Sequence, residues 1–108
     1  MTMSIDWKAP WRAIDDPAER DGVQARLERE IHWRHRLRGR RATVIGRRID
    51  NDDIVAVLDD GTLVNVHLVW QDGALAWLRR DWPTWHAYGL RDAFVAAMEK
   101  DAADYARA

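Results

Sequence analysis

Hydrophobic and polar positions alternate most regularly between Asp53 and Trp70. Two apolar, β-branched runs flank Asp59-Asp60-Gly61, and an Asp-Gly turn between such runs predicts a β-hairpin. In the second run one parity holds Val64, Val66, Leu68 and Trp70, and the other holds Leu63, Asn65, His67 and Val69. Period-two geometry places these sets on opposite faces of the sheet. We therefore expect one core face, which carries Val64 and Val66 and is sealed by the carboxy-terminal helix, and a second face that is polar in its middle.

Further strand signals flank the hairpin. Residues 40–49 alternate and predict a first strand that turns at Asp50-Asn51-Asp52, where asparagine and aspartate favour a turn. A second turn signal precedes 74–78, which predicts a short fourth strand. Pro83 makes 79–88, rich in aromatic residues, an irregular loop in this interpretation. The pattern thus predicts three or four antiparallel strands in meander order.

Two helices are predicted, one before the strands in the sequence and one after them. Asp15-Asp16-Pro17-Ala18-Glu19 combines an acidic N-cap, a proline at the first helical position and a carboxylate at the third. The first helix should end between Ile31 and Arg36. Helical periodicity returns after the aromatic segment and predicts a carboxy-terminal helix packed on the sheet. Its apolar face comprises Leu90, Phe94, Ala97, Met98 and Tyr105.

These elements predict a single α+β domain, with a helix, an antiparallel meander and a second helix. The first 14 residues form an arm that contains Trp7 and Trp11 and is broken by Pro10. Its pattern predicts neither helix nor strand. Tryptophan is unfavourable in water, so the arm either folds over the core or covers a neighbouring subunit and makes the chain a homodimer.

Composition restricts the function further. The chain has no cysteine, which excludes disulfides and thiolate metal sites. It has no apolar run near the roughly 20 residues needed to cross a bilayer and no basic segment followed by an apolar one at the amino terminus, so we expect no membrane partner and a cytoplasmic location. The net charge of −1 does not favour a polyanionic or polycationic partner.

Charge is nevertheless segregated along the chain. Seven arginines and no acid lie between Ile31 and Ile49, whereas residues 50–60 hold five aspartates and no base. The segment 34–48 could bind nucleic acid, but the overall charge balance and the shortage of lysine favour a solvated or partner-facing surface over a nucleic-acid site. Nearby aspartates can also neutralise Arg47 and Arg48. The predicted partner-binding residues are Arg34, Arg36, Arg38, Arg41, Trp82 and Trp85.

Asn65 and His67 are the first candidates for chemistry, because they share one sheet face two positions apart. His86 is a third candidate, and Asp72 or Asp81 could orient a histidine. No nucleophile motif accompanies them. The histidine spacing fits no metal motif, and the acidic turn at 50–52 fits no calcium loop. We therefore expect neither a metal nor another cofactor, and a structural role for His67 more than a catalytic one.

Several short segments resemble a group of small, uncharacterised bacterial proteins with a V-H-L-[TV]-W strand motif and a W-P loop. They are His35-Arg-Leu-Arg-Gly39, Asp52-Asp53-Ile54, Asp60-Gly61, Val66-His-Leu-Val-Trp70 and Trp82-Pro-Thr84. Val69 stands where the group's strand has threonine. The resemblance implies a bacterial origin and a shared fold, and it implies no chemistry.

The sequence thus favours a small non-enzymatic protein that binds another protein, in the manner of an immunity or antitoxin protein. Small size, segregated charge and surplus tryptophan support this expectation. A small enzyme or ligand-binding protein that uses His67 and Asn65 is the first alternative. Nucleic-acid binding through Arg34–Arg48 is the second.

Overall fold

The computed structural model describes residues 4–31, 40–70 and 84–107. Five strands form one antiparallel sheet in the order β1-β2-β3-β4-β5, and two helices pack against it. The elements are β1 (Trp11–Ala13), α1 (Pro17–Glu30), β2 (Ala42–Arg48), β3 (Asp53–Leu58), β4 (Leu63–His67), β5 (Thr84–Gly89) and α2 (Arg91–Arg107). The α+β class, the antiparallel sheet and the two terminal helices are confirmed.

The start of α1 follows the predicted cap. Asp16 is the N-cap, and its carboxylate accepts a hydrogen bond of 3.2 Å from the backbone N–H of Glu19. Pro17 is the first helical residue. The helix ends at Glu30, one residue before the predicted interval, and Ile31 is its extended C-cap.

The predicted hairpin is present, with β3 and β4 paired from Asp53↔His67 to Val57↔Leu63. Gly61 in the turn has a φ of 89°, which is the left-handed conformation that an Asp-Gly turn requires. The second strand ends at His67, however, so the predicted run to Trp70 is too long.

The prediction of three or four strands is wrong, since the described residues contain five. The arm contributes β1, because Trp11–Ala13 pairs with the second half of β2. The aromatic segment predicted as a loop contributes β5, which pairs with β4 from His67↔Thr84 onwards. Pro83 precedes β5 in the sequence, so it does not remove a donor from the strand. The predicted strand at 74–78 lies outside the described residues.

The two helices cover opposite faces of the sheet. Val23 and Leu27 of α1 pack on the face of the sheet that carries Val64 and Val66 of β4. Phe94 and Met98 of α2 pack on the opposite face, together with Leu63 and the tryptophans of the arm. The expectation that the carboxy-terminal helix seals the Val64 face is therefore wrong: α1 seals it, and α2 seals the face that carries Asn65 and His67.

Only the middle of the predicted apolar stripe of α2 is buried. Phe94 and Met98 are fully buried, whereas Leu90 is 67% and Tyr105 40% exposed. Leu90 precedes the first helical residue. Tyr105 follows the turn at which Asp101 reaches Trp11 of the edge strand β1, so it lies past the sheet.

Glu30 fixes the chain after β4. Its buried carboxylate accepts backbone hydrogen bonds from Val69 at 2.7 Å and Trp70 at 2.9 Å, and it pairs with Arg26 at 2.6 Å. Trp70 thereby adopts a left-handed φ of 57° and is half-exposed beneath the Arg26 guanidinium, although its parity predicted the core. The expected Glu30–Arg34 pair lies outside the described residues.

Within the described ranges, neither helix is both long and apolar enough to cross a membrane.

Candidate functional site

Asn65, His67 and His86, the three catalytic candidates from the sequence, lie together on the α2 face of the sheet. Asn65 pairs with His86 across β4 and β5, and His67 follows Asn65 two positions along β4. Asp53 of β3 pairs with His67 from the other side, and Tyr88 bonds to Asn65. We call these five residues, Asp53, Asn65, His67, His86 and Tyr88, the polar corner.

Asp53 and His67 form a hydrogen-bonded dyad. The Oδ1 atom of Asp53 lies 2.6 Å from Nδ1 of His67, so the carboxylate accepts from Nδ1–H and fixes the tautomer of the neutral ring. The His67 side chain is 50% exposed. Among the described residues, Nε2 has no partner. A structural role for His67 would place its ring in the core. The ring is instead half-exposed at the open side of the polar corner.

Asn65 connects Asp53 to Tyr88 from a buried position. Its Nδ2 group donates to Oδ2 of Asp53 at 3.2 Å and to the Tyr88 hydroxyl at 3.0 Å. Both amide hydrogens are thus used. Only 6% of Asn65 is exposed, yet no described residue donates to its Oδ1. A buried acceptor without a donor is uncommon in native proteins and has a free-energy cost.

Tyr88 and His86 form the aromatic side of the polar corner. Their rings meet edge to face, with centroids 4.9 Å apart, and Tyr88 also contacts Phe94 of α2 at 5.1 Å. Burial raises the pKa of the Tyr88 phenol, and the hydrogen bond from Asn65 offsets part of this rise. Tyr88 therefore stays neutral and links the polar corner to the packed core beneath α2.

Arg48 of β2 and Asp101 in the middle of α2 lie on the β2 side of the polar corner. Arg48 lies 3.2 Å from Asp101 and also pairs with Asp50 at 2.8 Å, while the Trp11 indole donates to Asp101 at 2.9 Å. These carboxylates and the hydrogen bond to Asp50 keep the pKa of Arg48 above its ordinary value. The charge of this arginine is thus compensated before any ligand binds.

The carboxylate that orients His67 is not one of the two predicted from the sequence. Asp72 and Asp81 lie outside the described residues, and Asp53 takes the role. The signal was available: a hairpin that turns at Asp59-Asp60-Gly61 places Asp53 opposite His67. Three segments of the stated resemblance also meet here, since Asp53, His67 and Thr84 occupy one row across β3, β4 and β5.

Of the predicted partner-binding residues, the two that the structure describes, Arg41 and Trp85, are not part of the polar corner. Arg34, Arg36, Arg38 and Trp82 are outside the described residues. Trp85 is half-buried against the core beneath α1, on the opposite face of the sheet. Arg41 is exposed and lines a groove of about 530 Å³ between α1 and the start of β2.

The other described arginines of the 34–48 segment are paired with carboxylates. Arg40 bonds to Asp59 at 2.8 Å, and Arg48 bonds to Asp50 as the sequence suggested. Arg47 instead pairs with Glu19 of α1 at 3.3 Å, which corrects the expectation of an aspartate partner. These pairs leave less positive charge for nucleic acid than the sequence alone indicates.

The acidic turn has a structural role in strand geometry. Asn51 Oδ1 accepts a 2.8 Å hydrogen bond from the backbone N–H of Asp53, which is an Asx-type turn. In residues 4–31, 40–70 and 84–107, no three histidine or carboxylate side chains are grouped so as to hold a metal ion.

The described residues thus define an α+β protein in which a sheet of five strands carries an Asp–His dyad at one corner. Comparisons of the chain with protein-family models, curated protein sequences and solved structures gave no match.

Proposed function

We propose that this chain is a non-enzymatic module that binds another protein through the polar corner. One observation carries the proposal: the five side chains of the polar corner come together from β3, β4 and β5, and hydrogen bonds among Asp53, Asn65, His67 and Tyr88 fix their positions. Rigid, hydrogen-bonded groups on a sheet lose little conformational entropy when a partner binds. Tyrosine and histidine beside a buried core also suit the centre of an interface, where aromatic residues are enriched.

A comparative pull-down from native lysate tests this proposal. We expect wild-type protein to retain a partner that is lost with His67→Ala/His86→Ala and kept with Thr43→Ala, an exposed control on β2. Retention of no protein, or equal retention by the double variant, would contradict the proposal. Loss with Arg41→Ala alone would place the interface at the groove beside α1 and also contradict it.

Acid–base chemistry at His67 is a second candidate function, favoured by the short Asp53–His67 contact. No described residue lies within hydrogen-bond distance of Nε2, so a substrate would have to supply the reacting group. His67→Gln separates the two functions. Glutamine preserves a polar side chain that can accept a hydrogen bond but does not exchange protons near neutral pH, so we expect it to preserve much of the partner binding and to abolish catalysis.

A further inference from the structure

We infer that the polar corner takes a basic side chain, the guanidinium or ammonium group of an arginine or lysine on the partner. This inference rests on the proposed function and specifies the partner's chemistry. It follows from which atoms of the polar corner already have hydrogen-bond partners and which do not.

On β4, Asn65 Oδ1 and His67 Nε2 have no hydrogen-bond partner among the described residues, and both are acceptors. Both amide hydrogens of Asn65 are directed to Asp53 and Tyr88, which leaves only its carbonyl oxygen. In the neutral His67 ring the proton lies on Nδ1, facing Asp53, so Nε2 presents a lone pair. Asn65 and His67 are two positions apart on β4, so their side chains, and the two acceptors, lie on the same face of the sheet.

The charge around these acceptors is negative. Asp53 is hydrogen-bonded to both Asn65 and His67. Asp52 precedes it in the turn and is exposed, and it has no ion pair with any described residue. The Asp52 carbonyl accepts from Leu68 N–H at 3.2 Å, which places Asp52 beside the end of β4. Arg48, the neighbouring cation, is held by Asp50 and Asp101.

A ligand that fits this arrangement must bring several donors and positive charge. Ammonium offers three N–H donors and guanidinium five, and neither has an acceptor. Such a group can satisfy the buried Asn65 oxygen, whose lack of a donor is unfavourable in the free protein. A carboxylate or phosphate would face two acceptors and the Asp53 charge, so the polar corner should reject anions.

Titration of the full chain with single-residue probes tests the inference without the partner. The probes are the N-acetyl methylamides of arginine, lysine, glutamate and norleucine, followed by NMR through the Asn65 side-chain amide and the His67 ring. We expect saturable shifts at both residues with arginine and lysine, at dissociation constants on the order of 1–10 mM, typical of one small contact. Glutamate and norleucine should produce none.

Variants locate the binding. His67→Ala changes a half-exposed side chain, so the fold should persist. Because the variant removes one acceptor, it should raise the dissociation constants of the arginine and lysine probes at least about fivefold. Thr43→Ala should leave them unchanged. Absence of shifts with both cationic probes, equal shifts with glutamate, or unchanged affinity in His67→Ala would overturn the inference.

The outcomes also separate this inference from the proposed function. If the cationic probes fail but lysate capture depends on His67 and His86, the protein-binding proposal stands and the basic side chain is wrong. If the probes bind as expected but no protein is retained, the cation site stands and the protein-binding proposal fails.

Discussion

At the residue scale, Asn65 and Glu30 are the two buried polar side chains of the described chain, and they differ in how well they are satisfied. The Glu30 carboxylate has three donors, from Arg26 and two backbone N–H groups. Such a carboxylate is structural, because it compensates groups that would otherwise be buried alone. Asn65 retains an acceptor without a donor among the described residues, and this difference favours the polar corner over Glu30 as a proposed ligand site.

The buried phenol of Tyr88 should make the stability of the protein depend on pH in the alkaline range. Burial raises the pKa of its phenol above the ordinary value, so Tyr88 ionises at lower pH in the unfolded chain than in the folded one. The contribution of this pKa difference to the free energy of unfolding is fully present below the pKa of the unfolded chain, about 10. It is lost as pH rises from there towards the pKa of the folded protein. We expect the free energy of unfolding, measured with urea between about pH 9 and 11, to fall more in wild type than in Tyr88→Phe.

The phenylalanine variant also lacks the hydrogen bond from Asn65, so it should be less stable than wild type at every pH. The informative quantity is therefore the slope of stability against pH, not the absolute value. Identical slopes in the two proteins would show that burial does not perturb the Tyr88 hydroxyl.

At the element scale, the pairing of β1 with β2 depends on Gly46. A Cβ atom at this position would overlap the ring of Trp7 and would lie 2.8 Å from the Arg12 carbonyl oxygen. The arm therefore packs directly against the backbone of β2, and its tryptophan occupies the space of the missing side chain. Sequence alternation alone placed Gly46 on a strand and gave no sign of this contact.

Two glycine substitutions test the packing of the arm. Gly46→Ala should destabilise the protein by about 1–3 kcal/mol, as overpacking does, and should increase hydrogen exchange in β1. Gly22→Ala is the matched control, because no atom lies within 4 Å of its added Cβ and the site is helical. It should stabilise by roughly 0.5–1 kcal/mol. Equal effects in urea unfolding would mean that Trp7 does not occupy the space beside Gly46.

At the scale of the whole molecule, local sequence signals predicted both helices and the strands β2, β3 and β4, but not which helix covers which face of the sheet. The Asp16 cap, the Asp-Gly turn and the periodicity around Phe94 act within a few residues, and each gave the correct element. Which helix covers which sheet face depends on contacts across the chain, such as Leu27 with the Val64 parity. The strands β1 and β5 were missed for the same reason, since pairing with distant partners overrides weak local preference.

The candidate site shows the same division. Period-two alternation was sufficient to place Asn65 and His67 on one face, and that placement is correct. The hairpin also places Asp53 opposite His67. His86 was a candidate from the sequence, but it and Tyr88 belong to β5, whose pairing with β4 the sequence did not predict, so their place beside Asn65 could not be predicted.

The distribution of charge over the molecule leads to the last prediction. Glu19 pairs with both Arg12 and Arg47, and Asp59 and Asp60 pair with Arg40. We expect wild type, with its net charge of −1, to pass through heparin at low salt. The variant Glu19→Gln/Asp59→Asn/Asp60→Asn should be retained, because it frees three guanidinium groups.

A second triple variant separates the loss of pairing from the change in net charge. Asp6→Asn/Asp21→Asn/Asp52→Asn removes three exposed carboxylates that have no ion pair within the described residues, and it changes the net charge by the same amount. If pairing restrains the arginines, this control should elute well before the first variant as salt is raised, since counterion release depends on guanidinium groups that can contact the polyanion. Coincident elution would attribute the effect to net charge alone. Retention of wild type itself would revive the nucleic-acid hypothesis for residues 34–48.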